Sequence, residues 1–172
     1  MQAAQNELIT RVGPGTGCGA LMRHYWHPAA LLDEFDPRFD PRMAERALKA
    51  VRLLGQDFVL FKDATGQWGL LDRDCPHRGA DLAFARHEGD GLRCPFHGWK
   101  FDAAGRCLDT PAEPMGSTLC QRVRQRSYPV RVVAGVICSC WISGLQNSRS
   151  TRVIGHRWPC TSPALAPRNW RP

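Results

Sequence analysis

Short apolar runs, each closed by a turn rich in glycine or aspartate, recur through the middle of the chain. Ala50 to Leu54 and Phe58 to Phe61 flank the turn Gly55-Gln56-Asp57, and Trp68 to Leu71 follows Asp63-Ala64-Thr65-Gly66. This punctuation predicts three strands of a meander. Leu92 to Cys94, Lys100 to Asp102 and Arg106 to Leu108 predict three more, with Gly89-Asp90-Gly91 and Ala103-Ala104-Gly105 as turns. Short strands at this spacing imply an all-β fold, an antiparallel β-sandwich. Helical spacing is plausible only in Ala20 to Leu32, and Pro28 interrupts it. Pro37 and Pro41 mark a loop ahead of the first strand. From about Ser139 neither period is visible. The pattern divides the chain into an N-terminal segment over 1–47, a β domain over 48–136 and an irregular tail over 137–172.

The 172 residues suffice for one domain with a real core. A chain 43% hydrophobic and 23% charged is globular in composition, which disfavours a disordered or membrane-spanning one. No window approaches the roughly 18 consecutive apolar residues of a membrane helix. The opening MQAAQNELITRVGPG has neither the basic nor the apolar region of a secretory leader, so a cytoplasmic location away from the membrane is expected. The net charge of +7 is unevenly spread. Residues 1–113 hold 14 Lys+Arg against 16 Asp+Glu, a net of −2, whereas residues 114–172 hold nine Arg and no acid. The same part carries Cys120, Cys138, Cys140 and Cys160, together with Trp141, Trp158 and Trp170. Arg, Pro, Ser, Cys and Trp without acids is what GC-rich coding DNA yields out of frame. The tail therefore reads as a chain that leaves its frame somewhere after about Val130, with a natural basic tail as the alternative. A nucleic-acid arm would mix Lys with Arg and interleave glycine or aromatics, so no nucleic-acid partner is expected.

The chemistry is concentrated in Cys75-Pro76-His77 and Cys94-Pro95-Phe96-His97, separated by the sixteen residues Arg78 to Arg93. Two thiolates and two imidazoles can build a structural Cys2His2 zinc site. They can also build a [2Fe-2S] centre in which two Cys hold one iron and two His hold the other. Zinc sites usually draw like ligands from one local geometry, Cys with Cys and His with His. Here each motif offers one of each, which suits a cluster lying between two loops. Gly79 and Gly98 follow the histidines where the backbone must bend around the sulfides and turn its N–H groups toward them. The spacing favours the iron–sulfur centre, with Cys75, His77, Cys94 and His97 as metal and cofactor ligands.

The stretch CPHRGADLAFARHEGDGLRCPFHGWKFDAAGRCLDTPAEP resembles the Rieske domain of ring-hydroxylating oxygenase alpha subunits, most closely the phthalate-dioxygenase-like group. The resemblance extends upstream through ITRVGPGTGCGALMRHYWHPAAL and VRLLGQDFVLFKDATGQWGLLD, and downstream to YPV and weakly to AGVI. It covers nearly all of residues 9–136. It implies a Rieske [2Fe-2S] antiparallel β-sandwich with two cluster-binding loops and an irregular C-terminal tail. It also implies single-electron transfer, a flavin/iron–sulfur reductase as donor, and a homotrimer in the full-length parent. Respiratory Rieske proteins carry an extra cysteine in each ligand loop, paired as a disulfide; His77-Arg78-Gly79-Ala80 and Cys94-Pro95-Phe96-His97 have none to spare. With fewer constraints and fewer hydroxyl donors, the cluster is expected toward the low end of the Rieske range, about −150 mV. By the same resemblance Trp99 shields the cluster. His97 is the electron exit toward a neighbouring subunit's iron, with His77 as the alternative. The second ring nitrogen of each histidine lets reduction couple to protonation.

His24 and His27, flanking Tyr25-Trp26, read as packing or surface residues, and His87 as a solvated residue of a charged turn. Cys18 and Cys107 read as small buried residues or ordinary thiols. Cys138 and Cys140 lie too close in sequence for a redox pair, and Gly13-Pro14-Gly15-Thr16-Gly17 lacks the lysine and preceding strand of a phosphate loop. Members of the resembled family carry a second domain in which two His and a carboxylate hold a mononuclear Fe(II). Beyond Glu113 this sequence has no carboxylate side chain and one histidine, His156, so that iron is expected only in a domain missing here. The expectation is the electron-transfer domain of an aromatic-ring dioxygenase or monooxygenase/demethylase, truncated before its catalytic domain. A stand-alone Rieske ferredoxin-like carrier and a zinc-stabilised binding module are the alternatives; the roughly fifty residues ahead of the first sheet favour the oxygenase.

Overall fold

The computed structural model describes residues 3–141. In chain order its regular elements are α1 (Ala3–Thr10), α2 (Gly17–Met22), β1 (His27–Leu31), β2 (Leu48–Leu53), β3 (Gln56–Lys62), β4 (Trp68–Asp72), β5 (Arg86–Glu88), β6 (Gly91–Arg93), β7 (Lys100–Phe101), β8 (Cys107–Asp109), α3 (Leu119–Arg122), β9 (Ser127–Tyr128), β10 (Val130–Val133) and β11 (Val136–Ser139). The strands form three antiparallel sheets, β2-β3-β4-β9, β5-β6-β7-β8 and β1-β11-β10.

The first of these sheets is the centre of the molecule, and β3 shows why. Phe58, Val59, Leu60 and Phe61 are all fully buried, and successive side chains point to opposite faces of a strand. Val59 and Phe61 join Leu48, Leu71, Leu92 and Phe101 in one core; Phe58 and Leu60 join Val51, Leu70, Tyr128 and Ile137 in the other. An unbroken apolar run is what a strand covered on both faces requires. Each such side chain contributes about 1.5–3 kcal/mol on burial, so β3 is the main anchor of both layers. The sandwich expected from the strand spacing is present, with a third sheet on the far side of the central one.

Three local expectations are corrected. Ala20 to Leu32 is not one helix: α2 ends at Met22 and β1 begins at His27. A proline inside a helix costs about 3 kcal/mol and disfavours helical geometry in the residue before it. His27 and Pro28 instead pair with Ser139 and Cys138 on the sheet edge, with a register shift between Pro28 and Ala30. The turn between β2 and β3 is Leu54-Gly55, not Gly55-Gln56-Asp57. Both turn residues have positive φ, 46° and 75°, as a tight two-residue hairpin demands. His87 lies in β5 rather than on a solvated turn, with Nε2 2.7 Å from the Lys62 carbonyl oxygen and its ring edge-on to Phe61.

The tail also begins later than its composition suggests. β10 and β11 form a hairpin through Ala134-Gly135, and β11 pairs with β1 across the boundary set at residue 136. Ile137 is fully buried, and Trp141 packs on Phe58 at 5.3 Å and on Tyr128. Residues 130–141 thus have a place in the fold, although the frame change was expected from about Val130. His156, Cys160 and the remainder of the proposed tail lie outside the described residues.

Candidate metal centre

The two motifs occupy corresponding loops, one between β4 and β5 and one between β6 and β7. In the first, the Cys75 N–H donates to the Ala80 carbonyl at 2.9 Å and the Gly79 N–H to the Cys75 carbonyl at 2.8 Å. In the second, the Cys94 N–H donates to the Trp99 carbonyl at 2.8 Å and the Gly98 N–H to the Cys94 carbonyl at 3.2 Å. Gly79 and Gly98 both have positive φ, 68° and 75°, at the same offset from their cysteines. The backbone is therefore repeated, but His77 stands two residues after its cysteine and His97 three, so the imidazoles leave different points of the same turn.

Folding brings the two loops together as a thiol pair and an imidazole pair. Cys75 and Cys94 are each 2% exposed and sit with Trp99 in the core between the sheets, their thiols close enough to act on one another. The His77 and His97 rings lie 4.5 Å apart, nearer the surface. Trp99 stacks on His77 at 4.3 Å with the planes within 10°. Phe96, which is 63% exposed, lies 4.1 Å from the His97 ring.

Each loop has its own supports. Arg73 clasps Asp81 with bonds of 2.8 and 2.6 Å, Asp81 also accepts from the Ala83 N–H, and Asp74 bridges to Asp81, closing the first loop at its neck. The Gln125 carboxamide, 5% exposed and remote in sequence, donates to the Asp72 and Asp74 carbonyls at 2.7 and 2.8 Å. Arg93 supports the second loop: it donates to the Gly98 carbonyl at 2.7 Å and pairs with Glu88 and Asp109. Lys100 pairs with Glu88 and Asp90 beside it.

Burial pushes the Cys75 thiol up to about 11, with the Cys94 thiol adding to the effect and the His77 and Arg78 backbone N–H groups opposing it. Without a cation Cys75 is a protonated thiol, and metal binding must release its proton. Burial, then His77 and Arg78, lower the His97 pKa. Nδ1 of His77 is buried and has no hydrogen-bond partner. Such a nitrogen is costly to bury unless something binds it. An orphaned imidazole nitrogen beside a dry thiol pair fits a [2Fe-2S] group. The four side chains divide into a thiol pair and an imidazole pair, the split that a two-iron cluster asks for.

Sequence reasoning did not find Arg93, Gln125 or the Arg73–Asp81 clasp. Gln125 is fifty residues from Cys75, and no local pattern marks it. Cys107 was read as an ordinary thiol, whereas folding sets it against Cys120. His27 does pack: its Nε2 lies 2.7 Å from the Met22 carbonyl oxygen, and its ring is edge-on to Trp141.

A three-sheet β fold that offers two cysteine–histidine loops defines a class of iron–sulfur domain, and comparison with known proteins agrees. The Rieske [2Fe-2S] domain matches residues 38–129, and the chain belongs to that family. It is 46% identical over 141 residues to the 5,5'-dehydrodivanillate O-demethylase oxygenase subunit of Sphingobium sp., an alignment covering 80% of this chain and 31% of the relative. It is 38% identical over 134 residues to the phthalate 4,5-dioxygenase oxygenase subunit of Pseudomonas putida, covering 77% and 29%. Among solved structures, NdmA of Pseudomonas putida CBB5 superimposes with a TM-score of 0.63 at 28% identity, covering 72% of this chain and 36% of that one. The chain thus spans about a third of the length of these relatives. No helix among the described residues is long and apolar enough to cross a membrane.

Proposed function

We propose that this chain is the electron-transfer domain of a Rieske oxygenase acting on an aromatic substrate, and that Cys75, Cys94, His77 and His97 hold its [2Fe-2S] cluster. The observation that carries the ligand assignment is the buried, unpartnered Nδ1 of His77 beside its neighbour His97 and the paired thiols of Cys75 and Cys94. When bound, the cluster supplies a one-electron redox couple. Cys75 and Cys94, both buried, would hold one iron, and His77 and His97 would hold the other. Trp99 fixes the His77 ring plane and covers one of its faces. His97, with the exposed Phe96 against it, is the side that faces a partner, and its second nitrogen can carry a proton.

The donor in this reading is a flavin/iron–sulfur reductase. The acceptor is a mononuclear iron in a catalytic domain, held by two histidines and a carboxylate. This sequence has no Asp or Glu beyond Glu113 to contribute to that iron, so hydroxylation or demethylation requires residues that the chain does not supply. The curated relatives support the oxygenase reading, since both are oxygenase subunits.

The test is to purify the chain anaerobically, assay iron, zinc and acid-labile sulfide, and record visible and electron paramagnetic resonance spectra. Two iron and two sulfide per chain are expected, with a potential near the low end of the Rieske range. Zinc without sulfide overturns the cluster. A potential well above zero overturns the oxygenase class while leaving the cluster in place.

A further inference from the structure

Outside the cluster site, one group of reactive side chains is brought together by folding alone. Cys107 opens β8 and Cys120 lies in α3, which packs on β8. Cys107 and the neighbouring Leu119 rest on the same core as the cysteine–histidine loops. The two thiols meet across this α3–β8 contact, close enough to act on one another, both half-buried, and Cys107 Sγ is 3.6 Å from the Asp109 carbonyl oxygen.

Of the twelve residues between them, Asp109 and Pro111 touch the second loop of the cluster site, and the stretch 111–118 is otherwise exposed. A Cβ built on Gly98 would meet Pro111 Cγ at 2.8 Å. Asp109 pairs at 2.8 Å with the Arg93 nitrogen that donates to the Gly98 carbonyl. The segment 108–119 therefore touches the loop that carries Cys94 and His97 through Asp109 and Pro111.

We infer that Cys107 and Cys120 are a disulfide-forming pair, and that the bond, once made, fastens segment 108–119 against the second loop. The oxidant is a low-molecular-weight disulfide. One protein thiolate attacks it, displacing one small thiol and leaving a mixed disulfide; the second protein thiol then displaces the other half. Two protein thiols lose their hydrogens to become one S–S bond, and the small disulfide is reduced to two free thiols. Burial, then the Cys120 thiol, push Cys107 up to about 12, with the Asp109 carboxylate adding to the rise, so the dithiol exchanges slowly at neutral pH. The pairing stands apart from the cluster assignment; its effect on the second loop rests on the ligand reading above.

The test treats the chain carrying its cluster with glutathione disulfide, alkylates remaining thiols under denaturing conditions and digests with trypsin. Cleavage after Arg106 and Arg122 leaves both cysteines in one peptide. That peptide is expected to be lighter than the dithiol form by two hydrogens, unalkylated, and restored by dithiothreitol. C107S and C120S are each expected to give a glutathione adduct instead. A peptide alkylated at both cysteines, or carrying glutathione at both, overturns the pairing. With the bond formed, iron release to a chelator is expected to slow by about threefold or more, because local opening of the backing segment is suppressed. Equal rates overturn the fastening. A chain that holds no iron in either state overturns the ligand assignment instead, while the mass measurement still judges the pair.

Discussion

The two cysteine–histidine loops share one backbone and differ in almost everything around it. Both are closed by the same pair of main-chain bonds and turn through a glycine with positive φ. The first is held from outside by Gln125 and by the Arg73–Asp81 clasp, and His77 lies flat on Trp99. The second is held by Arg93 and backed by Pro111, and His97 meets the exposed Phe96. A repeated backbone therefore does not give equivalent histidines: one ring lies flat on Trp99 and the other meets an exposed phenylalanine.

The strongest way to break the comparison is to remove what the loops have in common. Cys75→Ser and Cys94→Ser are each expected to abolish visible absorbance and iron content. A variant that kept full iron would remove that cysteine from the ligand set.

The glycines separate the loops next. Ala at either position takes up a left-handed conformation, which costs about 1–2 kcal/mol. Around Gly79 nothing lies within 4 Å of an added Cβ, whereas at Gly98 it would meet Pro111 Cγ at 2.8 Å. Gly79→Ala is expected to lower stability by about 1 kcal/mol and Gly98→Ala by about 3 kcal/mol, the excess being overpacking. Urea unfolding of the two variants side by side measures the difference, and equal losses would mean that segment 108–119 does not press on the second loop.

Gln125→Leu leaves the carbonyls of Asp72 and Asp74 without their donor. A buried acceptor left unpaired costs about 1–3 kcal/mol, so a loss of about 2 kcal/mol is expected. Faster amide exchange should be confined to the first loop's neck; spread evenly over both loops, it would refute the distinction.

The smallest effect is in the acid limb. The hydrogen bonds from Arg73 hold the Asp81 carboxyl below its ordinary range. Its folded pKa is lower than its unfolded one, so its contribution is present above the usual carboxylate value of about 4 and is lost as pH falls through the lowered value. Asp81→Asn is expected to flatten the fall in stability below about pH 4. An unchanged slope in chemical unfolding across that range would dismiss the clasp as a contributor.

The ligand loops were readable because their chemistry is local. A cysteine, a histidine and a glycine within a few residues define each turn, and the apolar run Phe58 to Phe61 marks a strand, although only the structure shows it covered on both faces. Leu54 concealed a hairpin turn, since an apolar residue with positive φ has no compositional signature. Residues 137–139 were assigned to an irregular tail, yet β1 gives β11 a partner that no local window contains.

The sequence by itself determined the paired cysteine–histidine motifs, their spacing, the glycines that let the backbone bend beside them and the all-β class, because each depends on near neighbours and on side-chain chemistry. Only the tertiary structure decided that the N-terminal segment and residues 136–139 share a sheet, that Gln125 and Arg93 brace different loops, that His77 stacks on Trp99 while His97 meets Phe96, and that Cys107 meets Cys120. Those contacts join residues far apart along the chain, and they exist because burying both faces of the central sheet brings distant segments together.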